Sequence, residues 1–366
     1  MKIAIDISQI AYPGSGVANY TRDLVGNLLK QDGKNRYLLF GYSLRKKHIL
    51  DIFLRDLRTK YENLECRTFS LPQSLVNYIG NKVHKIPLES VLGKIDIYHS
   101  SDWIQFSSQA KKITTVHDLI VYRFPETSDP VIIKTQKQRL FHVVNECQKI
   151  IVDSNSTKAD LIKILNVEEN RINVVYPGTS LNFSGINRKS IKTVLAKHNL
   201  RKPFVLAIGK NDPRKNLEGV IKAYEKSDIK ADLVVVTSKG WGSELNPSKD
   251  VHLIYEIGNS ELSILYSCAS MLVYPSFYEG FGLPVIEANS AGCPVITSAG
   301  GSLKEVAGDA AFFVDPYNVD EIAEMMRQLF NDKNLQKKLS LKGLINAKRF
   351  TWEIGARKII SLYESL

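Results

Sequence analysis

Short apolar runs recur along the chain, most of them separated by enough residues for one helix. In the N-terminal half KIAIDI, YLLFGY, IDIYHSS, KITTVHDL, KIIVDSN and RINVVYPG read as strands, with longer polar–apolar periodic segments between most of them. Such alternation predicts a mostly parallel sheet covered by helices. After VYPG the pattern lapses into TSLNFSGINRKS, rich in Ser, Asn and Gly, which reads as a linker before the helix-like IKTVLAKHNL. The alternation then restarts with FVLAIG, DLVVVTS, VHLIYEI, MLVYPS, CPVITSA and AAFFVD, separated by KNLEGVIKAYEKS, SELSILYSCAS and GLPVIEANSAG. Helical segments through EIAEMMRQLF, LQKKLSLKGLINAKRF and WEIGARKIISLYESL complete the chain, which has no short-period repeat or low-complexity tract. The expected class is α/β: two doubly wound domains, 1–178 and 179–349, then a terminal helix at 350–366, with the linker between Gly178 and Asn199. Ligands of such sheets bind beyond the carboxyl ends of the strands, so the expected site lies in the cleft between the halves.

Composition narrows the class. At 366 residues the chain exceeds one core, at about 150 residues per domain. A hydrophobic share of 44% with 24% charged residues is that of a folded soluble protein. No stretch reaches the ~18 apolar residues of a membrane span, and MKIAIDIS reads as a strand carrying Asp6 rather than a signal peptide. A cytoplasmic location is expected. Cys66, Cys147, Cys268 and Cys293 are scattered with no CxxC pairing, as buried thiols would be. The net charge of +11 favours an anionic partner: a nucleotide, a membrane surface or a nucleic acid.

Three loops at strand ends carry candidate chemistry. In YPGSGVANYTRDL, Gly14 and Gly16 would let backbone approach a ligand at a helix N-terminus, where free N–H groups favour an anion; a plain turn capped by Ser15 is the alternative. The spacing is not GxGxxG, so no dinucleotide fingerprint is met. In IGKNDPRKNLEGV, Gly209 ends a strand, and Arg214 and Lys215 precede a helix, so two cations can converge on a diphosphate; a solvated basic loop is the alternative. In YEGFGLPVIEA, Gly280 and Gly282 flank Phe281, and Leu283, Pro284 and Val285 begin a helix. Glu279 sits in the loop and Glu287 is expected to face outward. Their carboxylates could accept bonds from sugar hydroxyls, or Glu279 could cap the helix and Glu287 lie at the surface.

TTVHDL places His117 and Asp118 at a strand's carboxyl end, where a locally satisfied His–Asp bond competes with a role in the site. HSSDW, with His99, Asp102 and Trp103, occupies the equivalent place one strand earlier, or is a packed loop. No closely spaced Asp-x-Asp, HExxH, GxSxG or Walker lysine occurs. Metal-free handling of a diphosphate by Arg214 and Lys215 fits that pattern, and no cofactor beyond a co-substrate is expected.

SFYEGFGLPVIEANSAGCPVITSAGGSLKEVAGDAAFFVDP resembles the donor-site signature of the retaining glycosyltransferases of family 4, which share the GT-B fold of two facing Rossmann-like domains. The resemblance extends over essentially the whole chain through GSGVANYTRDL, VHDL, VDSNSTKADL, VYPG, RKNL and a terminal FTWE helix, which in that fold packs back on the N-terminal domain. It implies that Glu279 lies by the donor sugar, that Glu287 binds the nucleotide ribose, and that the Gly280–Phe281–Gly282–Leu283 backbone binds sugar and phosphate oxygens. It also implies that Arg214 and Lys215 hold the diphosphate, that the Gly16 amide touches it, and that His117 is near the hexose on the acceptor side, where Gly14, Asp102 and Asp118 also fall. One departure is EANSAG in place of an EAMACG-like run, with Asn289 and Ser290 expected to alter packing.

The expected activity is retaining transfer of a hexose, first mannose from GDP-mannose, to a glycan or lipid-linked sugar in cell-surface polysaccharide assembly. UDP-sugar-dependent glucosyl or N-acetylglucosaminyl transfer, or a non-catalytic polyanion-binding GT-B protein, are the alternatives. A nucleic-acid partner is not expected, since no aromatic-interleaved basic sheet is evident. Most of the positive excess lies before Arg171, in LRKKHIL, Lys82 with Lys85, and Lys111 with Lys112. Peripheral contact with the anionic inner face of the cell membrane competes there with a solvated basic face.

Overall fold

In the computed structural model, which describes every residue except Lys239, Trp241, Asn246, Pro247 and Glu256, the chain divides into two units, Met1–Pro177 with Trp352–Leu366, and Gly178–Thr351. The first unit holds a seven-stranded sheet of β1 (Lys2–Asp6), β2 (Arg36–Tyr42), β3 (Leu64–Phe69), β4 (Ile97–Ser100), β5 (Lys111–Val116), β6 (Lys149–Val152) and β7 (Ile172–Val174), in the order β3-β2-β1-β4-β5-β6-β7. The second holds β8 (Phe204–Lys210), β9 (Asp232–Ser238), β10 (Val251–Tyr255), β11 (Met271–Tyr274), β12 (Val295–Thr297) and β13 (Ala311–Phe313), in the order β10-β9-β8-β11-β12-β13. Every pairing is parallel. This is the expected architecture of doubly wound, Rossmann-like domains.

Burial explains why the strands were legible. Phe204, Val205, Leu206 and Ala207 of β8 are all fully buried, as a strand covered on both faces requires. β3, LECRTF, is the strand that the apolar pattern does not reveal. It is an edge strand of alternating half-buried and exposed residues, so it carries no apolar run.

The sheet orders also locate the sites. In each sheet the order reverses at one strand: β1 lies between β2 and β4, and β8 between β9 and β11. Crevices of such sheets open at that reversal, beyond the carboxyl ends. The Gly14–Gly16 loop comes after β1 and the Asn211–Lys215 loop after β8, so they occupy equivalent places in the two units.

The terminal helix Trp352–Glu364 belongs to the first unit. Its Trp352, Ala356, Ile359 and Tyr363 join the same core as Leu24 and Leu28 of the Gly16–Gln31 helix, and the Tyr363 hydroxyl lies 2.7 Å from His99 Nδ1.

Candidate functional site

In the second unit, β8 ends where Gly209 makes room for a side chain. A Cβ at that position would lie 3.3 Å from Lys215 Cβ, so Lys215 can fold back across the strand end. The turn Pro213–Lys215 is held by the Asp212 carboxylate, which accepts from the Arg214 amide at 2.9 Å. β11 runs into a loop that reaches Gly282, where φ is +93° and the Leu283–Ser290 helix begins. That helix receives no side-chain cap, so the capping role open to Glu279 in the sequence is not the one it has.

Glu279 is buried, and donors from three side chains converge on its carboxylate. Lys215 Nζ lies 2.7 and 2.8 Å from its two oxygens, the Tyr274 hydroxyl donates at 2.8 Å, and Arg214 Nη1 stands 3.1 Å away. Arg214 Nη1 also donates to the Tyr278 carbonyl at 2.6 Å. Burial alone would raise the pKa of Glu279; the Lys215 and Arg214 charges outweigh it and bring it to about 2. Burial and neighbouring Arg214 lower Lys215 against the pull of Glu279. The cluster is thus a fixed anion flanked by two fixed cations beyond the carboxyl ends of β8 and β11, an arrangement suited to a polar, anionic ligand.

The Gly300–Ser302 segment braces this loop. Ser302 Oγ donates to the Glu279 carbonyl at 3.1 Å and to the Phe281 carbonyl at 2.7 Å. Side chains are excluded beside it, because a Cβ on Gly301 would stand 2.2 Å from the Glu279 carbonyl oxygen, and one on Gly300 equally close to that of Phe277. Gly280 and Phe281 are buried in the loop, and Phe281 meets Phe350 edge-on at 5.7 Å. Glu287 does not simply face outward: it is half-buried, and Oε2 accepts from the Tyr266 hydroxyl at 2.7 Å. Asn289 is buried with its Cα and side chain against Gly343, a packing role. A separate cavity of about 390 Å³ is lined by Asp212, Asn216, Phe277 and Tyr317, without Lys215, Glu279 or Glu287.

In the first unit, Val116 pairs with Val152 across β5 and β6, so the next residues, His117 and Asp153, come side by side beyond the strand ends. His117 Nδ1 lies 2.6 Å from Asp153 Oδ2, and the Tyr20 ring meets the imidazole edge-on at 4.5 Å. Burial would lower His117, but Asp153, with Asp102 and Asp118 farther out, raises its pKa to about 9. Asp118, the sequence neighbour, instead accepts from the Ile120 amide at 3.0 Å. The His–Asp bond is therefore between strands rather than local.

Asp102 is held by Arg139 at 3.0 Å, a fully buried guanidinium that also bonds the Ser101 and Thr115 carbonyls. His99 is a core residue, its pKa lowered to about 3 by burial and the charge of His117. A small cavity gathers Asp6, Tyr20, Asp102 and His117. Gly14 needs its glycine for a φ of +87°, while Gly16 opens the helix with free space around it, and Ser15 Oγ accepts from the Ala18 amide at 3.2 Å.

The site residues expected from the sequence thus gather in two places: Gly209, Arg214, Lys215, Glu279 and the Gly280–Leu283 loop in the second unit, His117 and Asp102 in the first. Sequence reasoning missed Asp153, Tyr274, Tyr266, Ser302 and Arg139. For Asp153 a signal existed, since VDSN ends β6 just as VHDL ends β5.

Two family descriptions match the chain: "Glycosyltransferase Family 4" over residues 14–183 and "Glycosyl transferases group 1" over residues 190–344. O-antigen chain mannosyltransferase B of Escherichia coli is 27% identical over the full length of both chains. O-antigen chain mannosyltransferase RfbU of Salmonella typhimurium is 31% identical over 55% of this chain and 56% of its own. Among solved structures, Anabaena HepE in complex with UDP-glucose superposes with a TM-score of 0.76 at 16% identity, covering both chains completely. Sucrose-phosphate synthase from Thermosynechococcus elongatus does so with a TM-score of 0.73 at 21% identity, covering 100% of this chain and 98% of its own.

Proposed function

The chain belongs to the glycosyltransferases with a family 4 N-terminal half and a group 1 C-terminal half, and from this we propose that it is a retaining hexosyltransferase that moves mannose from GDP-mannose to a glycan or lipid-linked sugar of a cell-surface polysaccharide. The full-length likeness to an O-antigen chain mannosyltransferase supports the sugar and the setting. The single observation that carries the assignment is the Glu279 carboxylate held by Lys215, Arg214 and Tyr274 at the β8–β11 crevice.

The second unit takes the donor. As the glycosidic bond breaks, negative charge grows on the departing nucleoside diphosphate, and Arg214 and Lys215 are already in place to meet it. Their position costs no reorganisation, because Glu279 and Tyr274 hold Lys215 and the Tyr278 carbonyl holds Arg214. Gly209 and the Gly280–Phe281–Gly282–Leu283 backbone approach phosphate and sugar oxygens. Glu287, steadied by Tyr266, accepts from the ribose hydroxyls. The first unit takes the acceptor, with His117, Asp102, Asp118 and Gly14 on that side. The acceptor hydroxyl attacks on the face the diphosphate leaves, and the leaving phosphate receives its proton, so configuration is retained and no protein nucleophile is needed.

Divalent metal is dispensable in this scheme, since two side-chain cations serve the diphosphate. The enzyme acts in the cytoplasm at the inner face of the membrane. Contact there is supported by exposed Tyr78, Ile86, Val131, Ile132 and Phe141 among exposed Lys82, Lys85, Lys134 and Lys137. No helix among the described residues is long and apolar enough to cross a membrane.

The test is a thermal-shift screen over nucleotide sugars, followed by release of free nucleoside diphosphate with an acceptor. A donor at ~100 times its dissociation constant stabilises by about 2.7 kcal/mol. Stabilisation by UDP-sugars and not GDP-mannose overturns the donor; no diphosphate release with any pair overturns catalysis.

A further inference from the structure

His84, His142 and Glu146 form a cluster in the first unit that the transfer reaction does not use. His142 and Glu146 are four residues apart on the Pro130–Glu146 helix, so they share a face. His84 follows a π-helical turn, Tyr78–Val83, in left-handed backbone at φ 49°, and its amide closes that turn on the Ile79 carbonyl at 2.9 Å. One ligand atom from each of the three lies within 4.8 Å of the others.

The hydrogen bonds around the rings decide which nitrogens are available. His84 Nδ1 lies 2.6 Å from the Gly80 carbonyl and His142 Nε2 lies 2.9 Å from the Asn81 carbonyl. Carbonyls only accept, so both of these nitrogens carry protons. The remaining two, His84 Nε2 and His142 Nδ1, point at the same oxygen, Glu146 Oε1, at 2.6 and 3.4 Å. One added proton satisfies only one of these contacts and leaves the other lone pair facing the carboxylate. Two added protons make stacked imidazolium cations with centroids 3.6 Å apart, beside the Lys112 ammonium that holds the other oxygen of Glu146 at 2.5 Å. One divalent ion satisfies all three groups.

We propose that His84 Nε2, His142 Nδ1 and Glu146 Oε1 form a binding site for a borderline divalent cation, zinc first. Two imidazole nitrogens with one carboxylate are a zinc-type donor set that leaves a fourth position open to water, whereas magnesium and calcium favour all-oxygen shells. The outer shell is in place: carbonyls receive the far N–H of each ring, the arrangement that orients histidine ligands. Asn81 is anchored, since its side chain accepts from the Gln105 amide at 3.0 Å and donates to the Trp103 carbonyl at 3.0 Å. The rings stack with planes 12° apart, so one must tilt out of the stack to bring both lone pairs to the ion. Lys112 is the second residue of β5 and His117 follows its other end, ~16 Å from Lys112 at about 3.3 Å per residue. The ion therefore clamps the helix to the π turn and takes no part in transfer.

The probes are Zn²⁺ and Co²⁺ alone, added to the metal-stripped full chain in competition with a chromophoric chelator. The expected result is one ion per chain, a Co²⁺ visible spectrum of low-symmetry N₂O ligation, and a higher melting temperature with Zn²⁺. His142→Gln and His84→Gln should each weaken binding by at least about 10-fold and abolish the thermal shift, with circular dichroism reporting that each variant is folded. Failure of the wild-type chain to bind Zn²⁺, or equal binding by the His84→Gln/His142→Gln double variant, overturns the site. Because the readout is metal uptake, its failure leaves the glycosyltransferase assignment untouched.

Discussion

Lys215 and Glu279, separated by 64 residues in sequence, meet as a buried ion pair in which the ammonium spans both carboxylate oxygens at 2.7 and 2.8 Å. The pair joins the ends of β8 and β11, the strands that border the crevice of the second sheet. A lysine and a glutamate that would each be costly alone in that position hold one another charged, and Arg214 adds to the hold on Glu279 while opposing the charge on Lys215.

Removing one partner should therefore affect two properties. Glu279→Ala or Lys215→Ala leaves a buried charge without its main partner, and denaturant unfolding should show a loss of about 3–5 kcal/mol. Transfer by the folded fraction should fall by about 2.7–4 kcal/mol in barrier height, on the order of 10²–10³ in rate. The double variant Lys215→Met/Glu279→Gln should recover much of the stability and none of the activity. Near wild-type turnover in either single variant would show that the pair is only structural.

The histidines at the ends of β4 and β5 should titrate in opposite directions. His117, raised to about 9, binds a proton more tightly folded than unfolded, where the value is about 6.5. Its contribution is complete below pH ~6.5 and is lost as pH rises through 9. His99, lowered to about 3, stays neutral in the core, so the unfolded state takes up its proton first and stability falls as pH drops below ~6.5. NMR titration of the imidazole protons should find His117 changing near pH 9 and His99 silent down to pH 5. A His117 midpoint near 6.5 would remove the Asp153 pairing from the account.

Chemistry at strand ends was legible where it is local and hidden where it depends on register. The glycine loop, the Arg214–Lys215 pair and Glu279 announce themselves by residue type beside an apolar run. The partners of those residues do not. Asp153 reaches His117 because β5 and β6 are neighbours in the sheet, while Ser302 reaches the Glu279 loop from a segment beyond β12. The His84 cluster was invisible for the same reason, since 62 residues separate His84 from Glu146. β3 escaped because an edge strand is stabilised by its one neighbour and needs no apolar run.

Chelation should separate the two metal questions. EDTA-treated enzyme, assayed with donor and acceptor, should keep its turnover, because Arg214 and Lys215 supply the positive charge a metal would bring. Loss of activity restored by manganese or magnesium would place a metal on the diphosphate instead. The same treatment should lower the melting temperature of zinc-loaded protein and spare the His142→Gln variant.

The membrane prediction is changed by what the basic residues touch. Lys112 is not available to lipid, since its ammonium is spent on Glu146 and its side chain is 11% exposed. Lys47 is likewise paired, with Asp51 at 2.6 Å. Lys82 and Lys85 are exposed on and just after the π turn, and Lys134 and Lys137 are exposed on the helix beside it. They accompany Tyr78, Ile86, Val131, Ile132 and Phe141, of which Val131 and Phe141 are 71% and 65% exposed. An anionic leaflet attracts such lysines by about 1 kcal/mol each near its surface, an effect screened beyond ~10 Å at 0.1 M salt. Apolar side chains entering the interface add attraction that salt does not screen. Sedimentation with anionic vesicles should therefore show binding at low salt that weakens at high salt, with neutral vesicles binding poorly. Replacing Lys82 and Lys85 by Glu should remove the salt-sensitive part, and Phe141→Asp the residue that persists at high salt. If the chain ignores anionic vesicles at low salt, this face is merely solvated, and a soluble acceptor replaces the lipid-linked one.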